Sequence, residues 1–261
     1  MKLLALTFDV DGTLVDTEEL HRQAYNQTFL DFGFGWEWDA DTYAQLLTVS
    51  GGQARMARYI DLLDLPAAEK LRLRRVIPAI HQEKTRLYGE LIASNKVLPR
   101  PGVVRLIDEA RRAGLLVGLV ASSASVNVET LVSSALGAEL RKTVTAIASG
   151  DMVTRKKPAP EIYELLLSML RVPANAAVAF EDSTNGLMAA KSVGLYTVFT
   201  PSRWTTAHRS DGADLVLPSL GDPECPLDAA SAAKIGASCL ELSKLETLRS
   251  APALKLSGMS S

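Results

Sequence analysis

The chain alternates short apolar runs with longer stretches in which apolar and charged positions interleave. Runs of aliphatic and β-branched residues at 3–8, 115–120, 144–148, 177–180 and 197–199 predict strands, with a shorter sixth at 215–217. After about residue 100 the intervals carry a helical period. In 103–113 the apolar positions are Val103, Val104, Leu106, Ile107 and Ala110, with Asp108, Glu109, Arg111 and Arg112 between them and Gly114 as a stop. Segments 128–136, 161–170 and 187–193 read the same way. Strand and helix in alternation predict an α/β fold, a doubly wound, mainly parallel sheet of Rossmann-like type covered on both faces. In such sheets ligands bind beyond the carboxyl ends of the strands.

The stretch from Thr17 to about Lys96 breaks this rhythm. It offers helical segments at 21–32, 41–47, 54–63 and 67–92 and no convincing strand. Pro78 predicts that the last is two helices or one kinked helix. That much helix is too long for a single crossover, so the expected organisation is a catalytic core from 1–16 and 97–261 with an inserted helical cap at 17–96. Residues 14–17 and 97–101 are the expected linkers, the second stiffened by Pro99 and Pro101. Beyond Pro218 the pattern fades, leaving a terminal helix at 240–248 and a frayed tail at 255–261.

Composition narrows the class. The 261 residues are 47% hydrophobic and 22% charged with a net charge of −2, an ordinary globular balance without the basic excess of a nucleic-acid binder. No run approaches the roughly 18 apolar residues of a membrane span. The first strand begins at once, leaving no room for a signal peptide. Cys225 and Cys239 have no metal-ligand spacing. A cytoplasmic, monomeric enzyme with a small-molecule substrate is expected, or one of the plastid stroma if a transit peptide has been removed.

The chemistry sits where apolar runs stop. The first run ends in Phe8-Asp9-Val10-Asp11-Gly12-Thr13, the second in Ala121-Ser122-Ser123, and the fourth in Phe180-Glu181-Asp182-Ser183. Lys157 lies before Pro158 in the loop after the third. A parallel sheet brings all four to one edge, which assembles carboxylates, a hydroxyl and an ammonium. That set suits phosphoryl transfer. Asp9 is the candidate nucleophile and Asp11 the general acid and base. Asp9, Asp182 and the backbone carbonyl of Asp11, with Glu181 beside them, are candidate ligands for Mg²⁺, a hard cation that takes oxygen ligands. Lys157 would neutralise phosphate charge, with Lys156 and Arg155 as competitors. Ser122 would donate to a phosphate oxygen, with Ser123 as its competitor.

In order, Asp9-Val10-Asp11-Gly12-Thr13, Ser122, Lys157 and Glu181-Asp182 resemble the four motifs of the haloacid-dehalogenase-like hydrolases. The helical insert resembles the cap of one subclass. Residues 17–22, Trp38-Asp39, Tyr43, Gly51-Gly52, Arg55, Lys84-Thr85 and 99–103 are similar to the CbbY branch. That resemblance implies a Mg²⁺-dependent sugar-bisphosphate phosphatase converting xylulose-1,5-bisphosphate, an inhibitor of Rubisco, to xylulose 5-phosphate. Where some members carry Lys and Glu after the paired glycines, this chain has Gln53-Ala54, and Arg55, Arg58 and Lys84 are the cations left to compensate. Glu18, His21 and Tyr43 are candidates for sugar hydroxyls, Gly51 and Gly52 for backbone contacts, and Arg55 and Lys84 for a second phosphate. The core motifs leave open a sugar phosphomutase of β-phosphoglucomutase type and a broad small-metabolite phosphatase, such as one for phosphoglycolate. A non-enzymatic binding protein has no use for Asp9 and Asp11.

Overall fold

The computed structural model describes residues 2–250, so the tail expected at 255–261 lies outside the described residues. Six strands, β1 (Ala5–Asp9), β2 (Leu116–Ala121), β3 (Val144–Ser149), β4 (Ala177–Glu181), β5 (Tyr196–Phe199) and β6 (Leu215–Val216), form one parallel sheet in the order β3-β2-β1-β4-β5-β6. All six expected strands are present. Strands covered on both faces read as unbroken apolar runs, and β1 is buried at every position. The chain winds outward from β1 in both directions. The crevice between the carboxyl ends of β1 and β4 is therefore the switch point where such sheets bind ligands. Phe8 and Phe180 stack at 4.4 Å and tie those two strands together just below it.

The first four helices after β1 are α1 (Glu18–Asp31), α2 (Ala40–Leu46), α3 (Gly52–Leu62) and α4 (Ala67–Ser94). They enclose an apolar cluster of their own that includes Tyr25, Phe29, Trp38, Tyr43, Ile60 and Ile80, and Trp204 packs into it from beyond β5. Of the two outcomes expected at Pro78, two helices or one, the structure has one: α4 is a single 28-residue helix with Pro78 inside it. Ile77, Ile80, Lys84, Tyr88 and Ile92 are buried along it, so packing continues through the missing N–H. The two chain crossings between the helical layer and the sheet lie side by side, bridged at Val15 and Pro99, with the Arg100 N–H donating to the Leu14 carbonyl at 2.9 Å.

The remaining helices sandwich the sheet. On one face α5 (Val103–Arg112) and α6 (Ser125–Arg141) place Leu106, Ile107, Leu131 and Val132 against Leu6 and Phe8. On the other, α7 (Glu161–Leu170) and α8 (Thr184–Ser192) bring Ile162, Tyr163, Leu166 and Ala189 against Ala5 and Ala179. The terminal pair is α9 (Ala229–Ile235) and α10 (Leu242–Ser250). Sequence pattern misses α9, because its apolar face is mostly alanine; Asp228 caps it by accepting from the Ser231 N–H at 3.0 Å. Among the described residues no helix is long and apolar enough to cross a membrane.

Candidate active site

The apolar strands deliver their polar successors to the switch point. Asp9 ends β1, Glu181 ends β4, and Asp182 follows at once. Their carboxylate oxygens lie within 4.8 Å of one another, and all three residues are buried. Lys157 reaches in from the loop after β3. Its Nζ donates to Asp9 Oδ1 and to Glu181 Oε1, each at 2.5 Å. Tyr163 of α7 donates to the same Glu181 oxygen at 2.6 Å, and Thr205 to Asp182 Oδ2 at 2.9 Å.

Three acids and one lysine leave an excess of negative charge out of water. Burial pushes the Asp9 carboxyl well above its ordinary range. Lys157 pulls against that shift, while Glu181 and Asp182 add to it. Asp182 is pushed up to about 7, by burial first and then by Glu181. Lys157 is raised despite its burial, because Asp9 and Glu181 hold its proton.

A divalent cation fits this donor set. Glu181 Oε2 is buried without a hydrogen-bond partner among the described residues, which is an oxygen left for a ligand. Gly12 gives the loop room beside it: its φ of +91° suits glycine, and a Cβ there would sit 2.2 Å from Asp182 Oδ2. The Asp11 carboxylate is not one of the three acids.

Asp11 instead faces the helical layer. Thr17 Oγ1 donates to Oδ1 at 2.6 Å and Ser123 Oγ to Oδ2 at 2.8 Å. His21 Nε2 and Tyr88 OH approach Oδ1 at 3.3 and 3.2 Å. Burial alone would raise this carboxyl, but His21, with the hydroxyls of Thr17 and Ser123, holds it well below the usual carboxylate range. Behind His21, Lys84 Nζ meets Nδ1 at 2.5 Å, and the His21 and Tyr88 rings stack at 3.7 Å. An ammonium donates only, so Nδ1 accepts and Nε2 carries the proton toward Asp11. Burial and then Arg55 bring Lys84 down to about 7, against the pull of Asp11 and Glu18.

One cleft between sheet edge and helical layer is lined by Asp9, Asp11, Glu18, His21, Gly51, Gly52, Arg55, Lys84, Ser122, Ser123, Lys157 and Asp182. Ser122 is exposed in it, whereas the Ser123 hydroxyl is engaged with Asp11. Lys156 donates to the carbonyls of Gly150 and Val153, and Arg155 pairs with Glu161 on the surface. Neither competes with Lys157. Tyr43 and Glu181 stand behind the wall. The Tyr43 hydroxyl donates to Glu18 Oε2 at 2.5 Å and accepts from Arg55 Nη1 at 3.1 Å, so it orients two residues that do face the cleft. Gln53, Ala54 and Arg58 are exposed and do not line it.

Sequence reasoning missed Tyr88, Tyr163 and Thr205, whose partners are distant in the chain. It also missed the work of Arg100. That guanidinium donates to the carbonyls of Gly12, Thr200, Pro201 and Pro218, and so binds the loop after β1 to the loop after β5.

Fold and site together define a Rossmann-like α/β protein with a buried acid cluster at its switch point, and a family model described as haloacid dehalogenase-like hydrolase matches residues 3–194. The chain belongs to the haloacid dehalogenase-like hydrolases. Within that family it is of the CbbY type. It is 42% identical to the plasmid-borne CbbY protein of Cupriavidus necator, covering 85% of this chain and 88% of that one. It is 43% identical to CbbY of Cereibacter sphaeroides over 84% of this chain and 93% of that one. A crystal structure of a CbbY mutant from Rhodobacter sphaeroides in complex with xylulose-1,5-bisphosphate is similar at a TM-score of 0.76 and 43% identity, covering 83% of this chain and 94% of that one.

Proposed function

We propose that this protein is a Mg²⁺-dependent phosphatase that hydrolyses a sugar bisphosphate, xylulose-1,5-bisphosphate, to xylulose 5-phosphate, and so removes a Rubisco inhibitor beside the Calvin cycle. The observation that carries the reading is Asp9, a carboxylate held by Lys157 at the switch point, in one cleft with Asp11 and with basic residues of the helical layer. CbbY relatives cover most of the chain, and one of them was crystallised with that bisphosphate. We read residues 17–96 as the cap and 1–16 with 97–261 as the core; the separate apolar cluster of the helices and the paired crossings at Val15 and Pro99 support this division. The protein acts as a monomer in the cytoplasm, or in the stroma.

In the first step an Asp9 oxygen attacks phosphorus and the bond to the sugar oxygen breaks. Asp11 delivers a proton to that leaving oxygen. Lys157 and the Ser122 hydroxyl bind phosphate oxygens and offset the charge that would repel the attacking carboxylate. In the second step water attacks the aspartyl-phosphate, Asp11 takes the water's proton, and Asp9 is regenerated with release of phosphate. The structure holds Asp11 in its basic form. The proton the first step needs reaches Oδ1 from His21 Nε2 as Lys84 passes one of its own to Nδ1, which leaves a neutral imidazole and a neutral amine. Asp9, Glu181, Asp182 and the Asp11 carbonyl would hold Mg²⁺, which when bound neutralises phosphate charge.

Phosphate release from xylulose-1,5-bisphosphate, phosphoglycolate and glucose 1-phosphate, with Mg²⁺ or with chelator, tests the reading. Preferred release from the bisphosphate is expected. Conversion of glucose 1-phosphate without release would instead make the protein a mutase, and a flat profile a broad phosphatase.

Two further results are expected. Arg55→Ala and Lys84→Ala each raise KM for the bisphosphate by about 10- to 100-fold, the range for losing one hydrogen bond to a charged group. Hydrolysis of a small monophosphate suffers much less in Arg55→Ala, and in Lys84→Ala it falls only through the proton path to Asp11. If the preference for bisphosphate over monophosphate survives both changes, these cations do not read the second phosphate.

Metal binding is expected to depend on pH. An acid whose carboxyl is raised in the folded protein stabilises it only while protonated. Asp182 therefore withdraws stability as pH climbs from about 4, the unfolded value, to about 7. Mg²⁺ relieves the ionised cluster, so it raises Tm more at pH 8 than at pH 5. Equal shifts at both pH values would remove the acid cluster as the binding site.

A further inference from the structure

We propose that Asn127 and Asn185 are positioning residues that dock the helical layer onto the catalytic edge and thereby set selectivity for a substrate with a second phosphate. The proposal deepens the phosphatase reading and rests on it for its substrate.

Each amide starts from a core helix that follows a motif strand. Asn127 lies in the first turn of α6, after Ser122 and Ser123, and Asn185 in the first turn of α8, after Asp182. Each reaches across to the helical layer. Asn127 Nδ2 donates to the Thr85 carbonyl of α4 at 2.9 Å. Asn185 Nδ2 donates to the Thr48 carbonyl at 2.8 Å and to Ser50 Oγ at 3.0 Å.

Their landing points are informative. Thr85 stands between Lys84 and Tyr88, whose side chains meet His21 and Asp11. Holding its carbonyl fixes the register of α4 on the acid–base residue. Thr48 and Ser50 lead directly into Gly51 and the first turn of α3, which carries Arg55. One amide thus sets the wall that bears Lys84, the other the wall that bears Arg55. The two cations that suit a second phosphate are aligned by neutral groups, which leave the charge of the cleft unchanged.

Gly89 adds a separate observation. Glycine within a helix is roughly 1 kcal/mol worse than alanine. Here a Cβ would lie 2.9 Å from Asn127 Oδ1, so the missing side chain is the space the amide occupies.

The test uses the full chain as Asn127→Ala, Asn185→Ala, the double variant and Gly89→Ala. KM and kcat are measured for xylulose-1,5-bisphosphate and for p-nitrophenyl phosphate, with Tm and hydrogen exchange alongside. Each single asparagine change is expected to raise KM for the bisphosphate about 3- to 10-fold, the range for one neutral hydrogen bond, and the double variant more. The aryl phosphate, which has no second phosphate to place, changes far less. Gly89→Ala should act like Asn127→Ala while Tm holds or rises, because alanine favours the helix. Exchange at residues 48–55 should quicken in Asn185→Ala and stay unchanged in Asn127→Ala. Parallel loss on both substrates with falling Tm, or an unchanged KM in the double variant, would overturn the proposal. If the wild type does not hydrolyse the bisphosphate, the phosphatase reading fails on its own. Exchange still decides the docking: no change in any variant defeats it.

Discussion

Asp9→Asn is expected to abolish phosphate release, by on the order of 10⁴-fold or more, while leaving the protein folded and at least as stable. The activity loss follows from the chemistry. An amide is no nucleophile toward phosphorus, and no other carboxylate takes its place: Glu181 stands behind the cleft wall, and Asp11 is turned toward the helical layer. The stability forecast follows from the electrostatics. Asp9 is buried beside two further acids, and its carboxyl is pushed up by that burial. Replacing it with a neutral isostere removes charge repulsion and leaves an amide oxygen to accept from Lys157. In chelator at pH 8 the variant should melt no lower than the wild type. The bisphosphate should still raise its Tm, because Arg55, Lys84 and Lys157 remain. Activity within about tenfold of wild type would remove Asp9 as nucleophile.

That asymmetry explains what was legible before the fold was known. Every strand could be placed because the apolar runs are short and bounded. Asp9, Lys157 and Asp182 could be picked out because polar residues with no packing reason follow those runs or lie in the loops after them. The organisation of a parallel sheet then brings them together. Less was legible where a contact depends on the far side of the molecule. Nothing local marks Thr205 as a donor to Asp182 or Tyr163 as a donor to Glu181, since a hydroxyl facing a carboxylate leaves no period in the chain. Tyr43 shows the same limit in reverse. Its phenol reads as a partner for a sugar hydroxyl, whereas it is buried behind the wall and bonds Glu18 and Arg55. Pro78 left open two helices or one, a choice made by the buried face that runs on through α4.

Lys157→Met should have the largest effect on stability. Lys157 is 5% exposed and is the cation shared by Asp9 and Glu181. Methionine matches its bulk, so the change removes charge and two hydrogen bonds rather than packing. Asp9, Glu181 and Asp182 are then left buried together without it. Breaking a buried ion pair from one side costs about 3–5 kcal/mol. The loss has a pH signature. Asp9 and Asp182 already have raised carboxyls, and without Lys157 the Asp9 carboxyl moves further up. An acid raised in the folded state contributes stability while protonated and loses it as pH rises. The deficit of the variant relative to wild type should therefore be small near pH 4 and large at pH 8. Urea unfolding in chelator at both values measures it. Adding Glu181→Gln to the variant should recover part of the loss at pH 8 by removing one of the stranded charges. It should recover none of the activity, because the phosphate still lacks its ammonium. A Lys157→Met protein as stable as wild type at pH 8 would mean that water, not Lys157, compensates these acids, and the assignment of Lys157 as the charge-balancing centre of the site would be wrong.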